Sequence, residues 1–165
     1  MGIHLEVVRR LPPLSVLLVV SLAACEKPSD EEVLRRTFAV PRVARLVSIE
    51  ASPKSTGTIG RDGLTIDAVF GFGPDELAAY RVRLENDPTW RPLPPPVDLS
   101  ARLPRGAHPP FDAANGVWAC RTAGDDLMRA RKSDCMARPG TLNDVMVAVL
   151  DFDKRTLRVH VKTEY

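Results

Sequence analysis

Asp144-Val145-Met146-Val147-Ala148-Val149-Leu150 is followed by Asp151-Phe152-Asp153-Lys154-Arg155-Thr156 and then by Leu157-Arg158-Val159-His160-Val161-Lys162, and this stretch decides the fold. The first seven residues are apolar at nearly every position, the pattern of a strand covered on both sides. The polar run 151–156 supplies a chain reversal. Beyond it, Leu157, Val159 and Val161 alternate with Arg158, His160 and Lys162. A period of two places one face on a core and the other in water. The reading is a C-terminal β-hairpin whose first strand is central.

Working outward, Gly116–Arg121 reads as another strand, and Asp125–Lys132 as a two-turn helix with acidic residues first and basic residues last. Leu64, Ile66, Ala68 and Phe70 alternate with Thr65 and Asp67, a half-buried strand that follows a tight turn at Arg61-Asp62-Gly63. Pro74 fits the first position of a helix, and Leu77, Tyr80 and Leu84 recur at helical spacing over 74–86. Arg45–Ala51 reads as a strand in which Leu46 lies off the face of Val47, Ile49 and Ala51. Ser29 and Glu32 form a capping box for a short helix over 30–37, which Pro41 stops. Residues 89–110 hold seven of the 15 prolines. This proline-rich loop (88–110) packs back over a hydrophobic face, with Trp90 as its anchor. The expected fold is α+β: an antiparallel sheet of four or five strands with one or two helices on one face, closing on the C-terminal hairpin. A small sandwich is the alternative.

The N-terminus carries a different signal. Arg9 and Arg10 precede an apolar run of 14 residues, Leu11 to Ala24, interrupted early by Pro12 and Pro13. As a helix it reaches roughly 21 Å, short of the ~30 Å hydrocarbon core of a bilayer. The run suits a signal peptide rather than a membrane span. Its end, Leu22-Ala23-Ala24-Cys25, resembles the lipobox of bacterial lipoproteins. That resemblance implies removal of residues 1–24, lipid on the Cys25 sulfur, and a membrane anchor for the mature chain. Residues 25–31 then form a short tether, and 32–165 one globular domain. Glu26 rather than aspartate after the cysteine favours the periplasmic face of the outer membrane over the inner membrane.

The whole chain has 23 Lys+Arg and 21 Asp+Glu. Residues 1–24 take Arg9, Arg10 and Glu6 with them, leaving a formal charge of +1. Such a balance gives no field for nucleic acid. With Cys25 committed to lipid, Cys120 and Cys135 remain, and an envelope compartment lets them form a disulfide. It closes a loop of about 16 residues, worth roughly 3 kcal/mol in the chain-entropy account. A reactive thiol is the competing reading, but no histidine stands near either cysteine in sequence.

No catalytic residue is assigned. After His4 is removed, His108 and His160 remain, without the ligand count that a zinc site needs. No serine stands in a GxSxG elbow, although a Ser–His160–Asp arrangement is spatially open. The carboxylates Asp67, Asp75, Glu76, Asp125, Asp126, Asp151 and Asp153 read as turn and cap residues. No metal or other cofactor is expected.

The order of Asp62-Gly63 with Phe70, Pro74–Glu85, Trp90-Arg91-Pro92-Leu93-Pro94, and Asn143 through Asp151 to Leu157 resembles a set of small bacterial lipoproteins to which no activity is assigned. The resemblance covers roughly residues 60–165 and implies one compact domain. Together these readings point to a non-enzymatic, membrane-anchored envelope lipoprotein that binds a protein partner or supports an envelope assembly. A small-ligand or cell-wall binding domain, with a pocket lined by Tyr80, Trp90 and Trp118, is the second reading. A small hydrolase using paired carboxylates is the third.

Overall fold

A computed structural model describes residues 28–54, 63–122 and 131–164. The signal and lipobox, the Arg61-Asp62 pair and most of the 125–132 helix expectation lie outside the described residues. The elements in chain order are α1 (Asp30–Thr37), β1 (Arg45–Lys54), β2 (Gly63–Gly71), α2 (Pro74–Glu85), β3 (Arg91–Pro92), α3 (Leu99–Arg102), β4 (Gly116–Thr122), β5 (Ser133–Asp134), β6 (Asp144–Asp151) and β7 (Thr156–Thr163). They form one antiparallel sheet in the order β1-β2-β7-β6-β4-β3, with β5 also paired to β4. Five strands are long and two are two-residue pieces at the β4 edge. The fold is α+β, as the sequence pattern predicts.

The hairpin pairs Asp144 with Thr163 at one end and Asp151 with Thr156 at the other. The Asp151 carboxylate accepts the N–H groups of Asp153 and Lys154 at 3.0 and 2.9 Å, and Arg155 takes a left-handed conformation (φ 54°) to complete the reversal. All eight residues of β6 are buried. Its apolar run therefore reads correctly as a central strand.

One side of the sheet is covered by α1 and α2. The Ser29 hydroxyl accepts the Glu32 N–H at 3.2 Å, and α1 buries Val33 and Leu34. At the start of α2 the Glu76 carboxylate reaches back to the Gly73 N–H at 2.8 Å, and the helix buries Leu77, Tyr80 and Leu84. These side chains pack on Ile66, Phe70, Met146, Leu150, Leu157 and Val161. The Tyr80 hydroxyl donates to the Phe38 carbonyl at 2.6 Å, tying the helices' layer together.

The other side is covered by the proline-rich segment. Leu99 and Leu103 pack with Trp118, Val145, Val147, Val149 and the Cys120–Cys135 disulfide, whose Cα atoms lie 5.4 Å apart. Arg102 holds the segment down by donating to the carbonyls of Cys135 (3.0 Å) and Gly140 (3.1 Å) and to that of Arg138. This cover corrects the expected solvent-facing side of β7: His160 and Lys162 are buried and Arg158 is half-buried. A period of two marks two faces, but the loop that lies over the second face comes from far away in sequence.

The irregular pattern of β1 also has a cause. A register shift between Leu46 and Ser48 places a bulge at Val47. Leu46 then shares the helix side with Ile49 and Ala51, and packs against that core, while Val47 is exposed. The inserted residue switches the alternation.

Gly116 marks the tightest approach between β4 and β6, because a Cβ there would collide with the Leu150 carbonyl. Gly116→Ala is expected to lower stability by about 1–3 kcal/mol, the range for forced overpacking. A urea melt checks it; an unchanged midpoint would mean the two strands pair more loosely than described.

Candidate functional site

A concave feature with an apolar wall lies where the C-terminal half of α2 meets the end of the hairpin. It is a groove of about 290 Å³. Leu84, Trp90, Val117 and Phe152 supply its apolar wall, with Pro88 and Pro92 alongside. Arg81, Glu85 and Asp87 stand at its rim. Trp90 is 9% exposed and makes edge contacts with Phe38 and Tyr80, at centroid distances of 6.0 and 6.4 Å. Phe72 stacks on Tyr80 at 5.2 Å. Trp90, which lines the groove, is thus braced from behind by Phe38 and Tyr80, with Phe72 stacked on Tyr80. On the open side, the Arg81 guanidinium lies 4.3 Å from the Phe152 ring centroid, a cation–π contact.

One side of the rim is fixed by polar contacts. Asp87 accepts the Thr89 N–H at 3.0 Å and the Thr89 hydroxyl, and Arg121 lies 3.4 Å from its other oxygen. Partial burial works to raise the Asp87 pKa, but the Thr89 bonds and the charges of Arg121 and Arg91 outweigh it and hold the carboxyl below its ordinary value. Burial pulls the Arg121 pKa down from the usual guanidinium value, against the pull of Asp87 and Asp134. Arg91 pairs with Asp134 at 2.5 Å and lies over the Trp118 ring. Glu85 is exposed and has no ion pair among the described residues.

The structure divides the three aromatic residues expected to line one pocket. Tyr80 is buried in the helix-side core, with its hydroxyl bonded to backbone. Burial raises its pKa further above the ordinary phenol value, so it is a fixed donor. Trp118 is fully buried on the opposite face of the sheet, edge-on to Phe111 at 6.0 Å. Trp90 alone reaches the groove. Its companions Leu84, Val117 and Phe152 carry no signal of their own in the sequence; Phe152 reads only as part of a turn.

A second concavity of about 280 Å³ lies on the other face, where Ser48, Glu50 and Asp67 meet His108 and Pro110 of the proline-rich segment. Glu50 and Asp67 are direct cross-strand neighbours. The buried His160 places Nδ1 2.7 Å from the Asp67 carboxylate. Its Nε2 accepts the backbone N–H of His108 at 3.3 Å. A nitrogen that accepts a backbone N–H has no lone pair left for a substrate proton. The ring therefore carries its hydrogen on Nδ1, donates it to Asp67, and uses Nε2 to hold the proline-rich segment. Ser48 shares the concavity but gains no base from this arrangement. Arg158 adds a second tie, donating to the Pro110 carbonyl at 3.0 Å and pairing with Asp112. The Arg158 hydrogen bond holds the Asp112 carboxyl below its ordinary value. No group of three or more metal-ligating side chains occurs among the described residues.

The His160 assignment predicts that ¹⁵N NMR of the neutral ring shows hydrogen on Nδ1 and a bare Nε2. A ring protonated on Nε2 instead would contradict the tie to His108 and free Nδ1 to act as a base. Compared with known proteins, the chain matches no family model, no curated protein and no solved structure.

Proposed function

We propose that this chain is a lipid-anchored protein of the bacterial envelope, held through Cys25, that binds a protein partner by taking an apolar side chain into the Trp90 groove. The N-terminal pattern supports the anchor: basic residues, a 14-residue apolar run and Leu22-Ala23-Ala24-Cys25. The observation that carries the partner reading is the groove itself. At about 290 Å³ it lies at the small end of the roughly 300–1,000 Å³ range of small-molecule sites. Its apolar wall is braced from behind, Asp87 is committed to Thr89 and Arg121, and Arg81 and Glu85 are the polar groups left at its edge. A rigid apolar notch with a tryptophan wall is the form that the dominant residues of protein interfaces occupy. The disulfide between Cys120 and Cys135 fits an oxidising compartment.

Position-resolved photo-crosslinking in intact cells tests the reading. A photoreactive amino acid replaces Glu85 at the groove rim, or Val97, which is 96% exposed in the proline-rich segment. The expected result is a discrete adduct with one envelope protein from position 85, absent from position 97 and lost in the Cys25→Ala chain. Adducts of equal yield from both positions, or none from position 85, would remove the groove as a docking site.

A further inference from the structure

We infer that one end of the domain, built around Val43 and Val47, rests on the surface of an anionic phospholipid bilayer. The inference rests on the proposed anchor and adds the orientation of the domain to it. Two of the five exposed large apolar side chains among the described residues lie here, Val43 at 67% and Val47 at 50%. They share one shallow concavity with Arg45, Lys154 and Arg155. Cross-strand register explains the grouping. Arg45 lies opposite Gly71 on β2, and Gly71 lies opposite Thr156 on β7, next to Arg155. The Phe72 N–H donates to the Arg155 carbonyl at 3.0 Å, which seats the β6–β7 turn against the end of β2.

The charges at this end are largely uncommitted. Arg45 and Arg155 are exposed and have no acidic partner among the described residues, and exposed Arg42 flanks Val43. Lys154 lies 3.5 Å from Asp151 but leaves 62% of its side chain in water. The acidic group in the concavity, Glu76, is turned to the Gly73 N–H. Two valines among arginines and a lysine match the interface of a bilayer with negative headgroups: the apolar tips enter the headgroup layer and the cations meet phosphate.

The lipid and the patch can lie in one plane. The four residues from Cys25 to Ser29 reach at most about 14 Å. Along α1, Ser29 to Arg35 is about 9 Å. The Arg35 guanidinium then donates to the carbonyls of Pro41 at 2.8 Å and Ala44 at 2.9 Å, the residues that bracket Val43. The patch is thus fastened to the helix that leads to the anchor. Charge complementarity and this short connection select a membrane over a second protein as the occupant.

The test uses the lipid-anchored chain with Val43→Cys, labelled with bimane and reconstituted in phosphatidylcholine vesicles containing brominated acyl chains, with or without phosphatidylglycerol. Val97→Cys serves as the remote position. The expected result is quenching and a blue shift at position 43, strongest with phosphatidylglycerol, and neither at position 97. Arg45→Glu with Arg155→Glu should abolish the signal at 43; both sites are exposed, so the fold is retained. No quenching at 43, equal quenching at 43 and 97, or a signal untouched by charge reversal would overturn the inference. The unsubstituted chain separates the two claims, because it takes up bimane only if Cys25 is bare. If it does, sedimentation of that chain with phosphatidylglycerol vesicles decides the patch: binding lost on charge reversal upholds it, and no binding overturns it.

Discussion

β6 has no face in water, and the rest of the molecule is arranged around that constraint. Eight consecutive residues, Asp144–Asp151, are buried. A strand of this kind must be flanked by strands on both edges and covered on both faces. β4 and β7 supply the edges. Two helices supply one cover, and the proline-rich segment supplies the other. The second cover has little regular structure, so its backbone groups need partners from elsewhere. Prolines reduce that need, since each lacks an N–H. Arg158 and His160 bond its backbone at residues 110 and 108, and its own Arg102 side chain ties it to the carbonyls of Cys135 and Gly140.

Much of the local structure could be read from the residues. The run 144–150, the alternation at 157–162, the Ser29 cap and the Pro74 helix start each depend on neighbours within a few positions, and the elements appear where those signals stand. The sequence was misleading where distant segments meet. Arg158, His160 and Lys162 look solvated because they are polar and alternate. Arg158 and His160 are covered by residues some 50 positions earlier, His160 finds Asp67 across 93 positions, and Lys162 finds Thr65 across 97. Likewise, Trp90 and Trp118 both read as candidates for one surface. Trp118 sits on β4 with its ring on the face opposite the helices, while Trp90 precedes β3 and turns toward them. The bulge at Val47 inverts the faces of β1 with no mark in the residues apart from the broken alternation that Leu46 creates.

This geometry bears on function through what it commits and what it leaves open. The histidine–carboxylate pair, the feature most suggestive of acid–base chemistry, is committed at both ring nitrogens to holding the cover in place. Asp87, Thr89, Arg121, Arg91 and Asp134 are committed to one another. What remains open is a braced apolar groove at Trp90 and an apolar, basic end at Val43 and Val47. We propose both as docking surfaces, and the proposed anchor gives each a setting in which docking has use.

The measurement that tests this account most directly is the mass of the N-terminal peptide of the mature chain, isolated from the membranes of its own cells. The account predicts a peptide beginning at Cys25 that carries a diacylglyceryl group, with or without a further acyl chain on its amine. A peptide that begins at Met1, or one that begins near Cys25 with an unmodified thiol, would contradict the anchor and remove the membrane from the explanation.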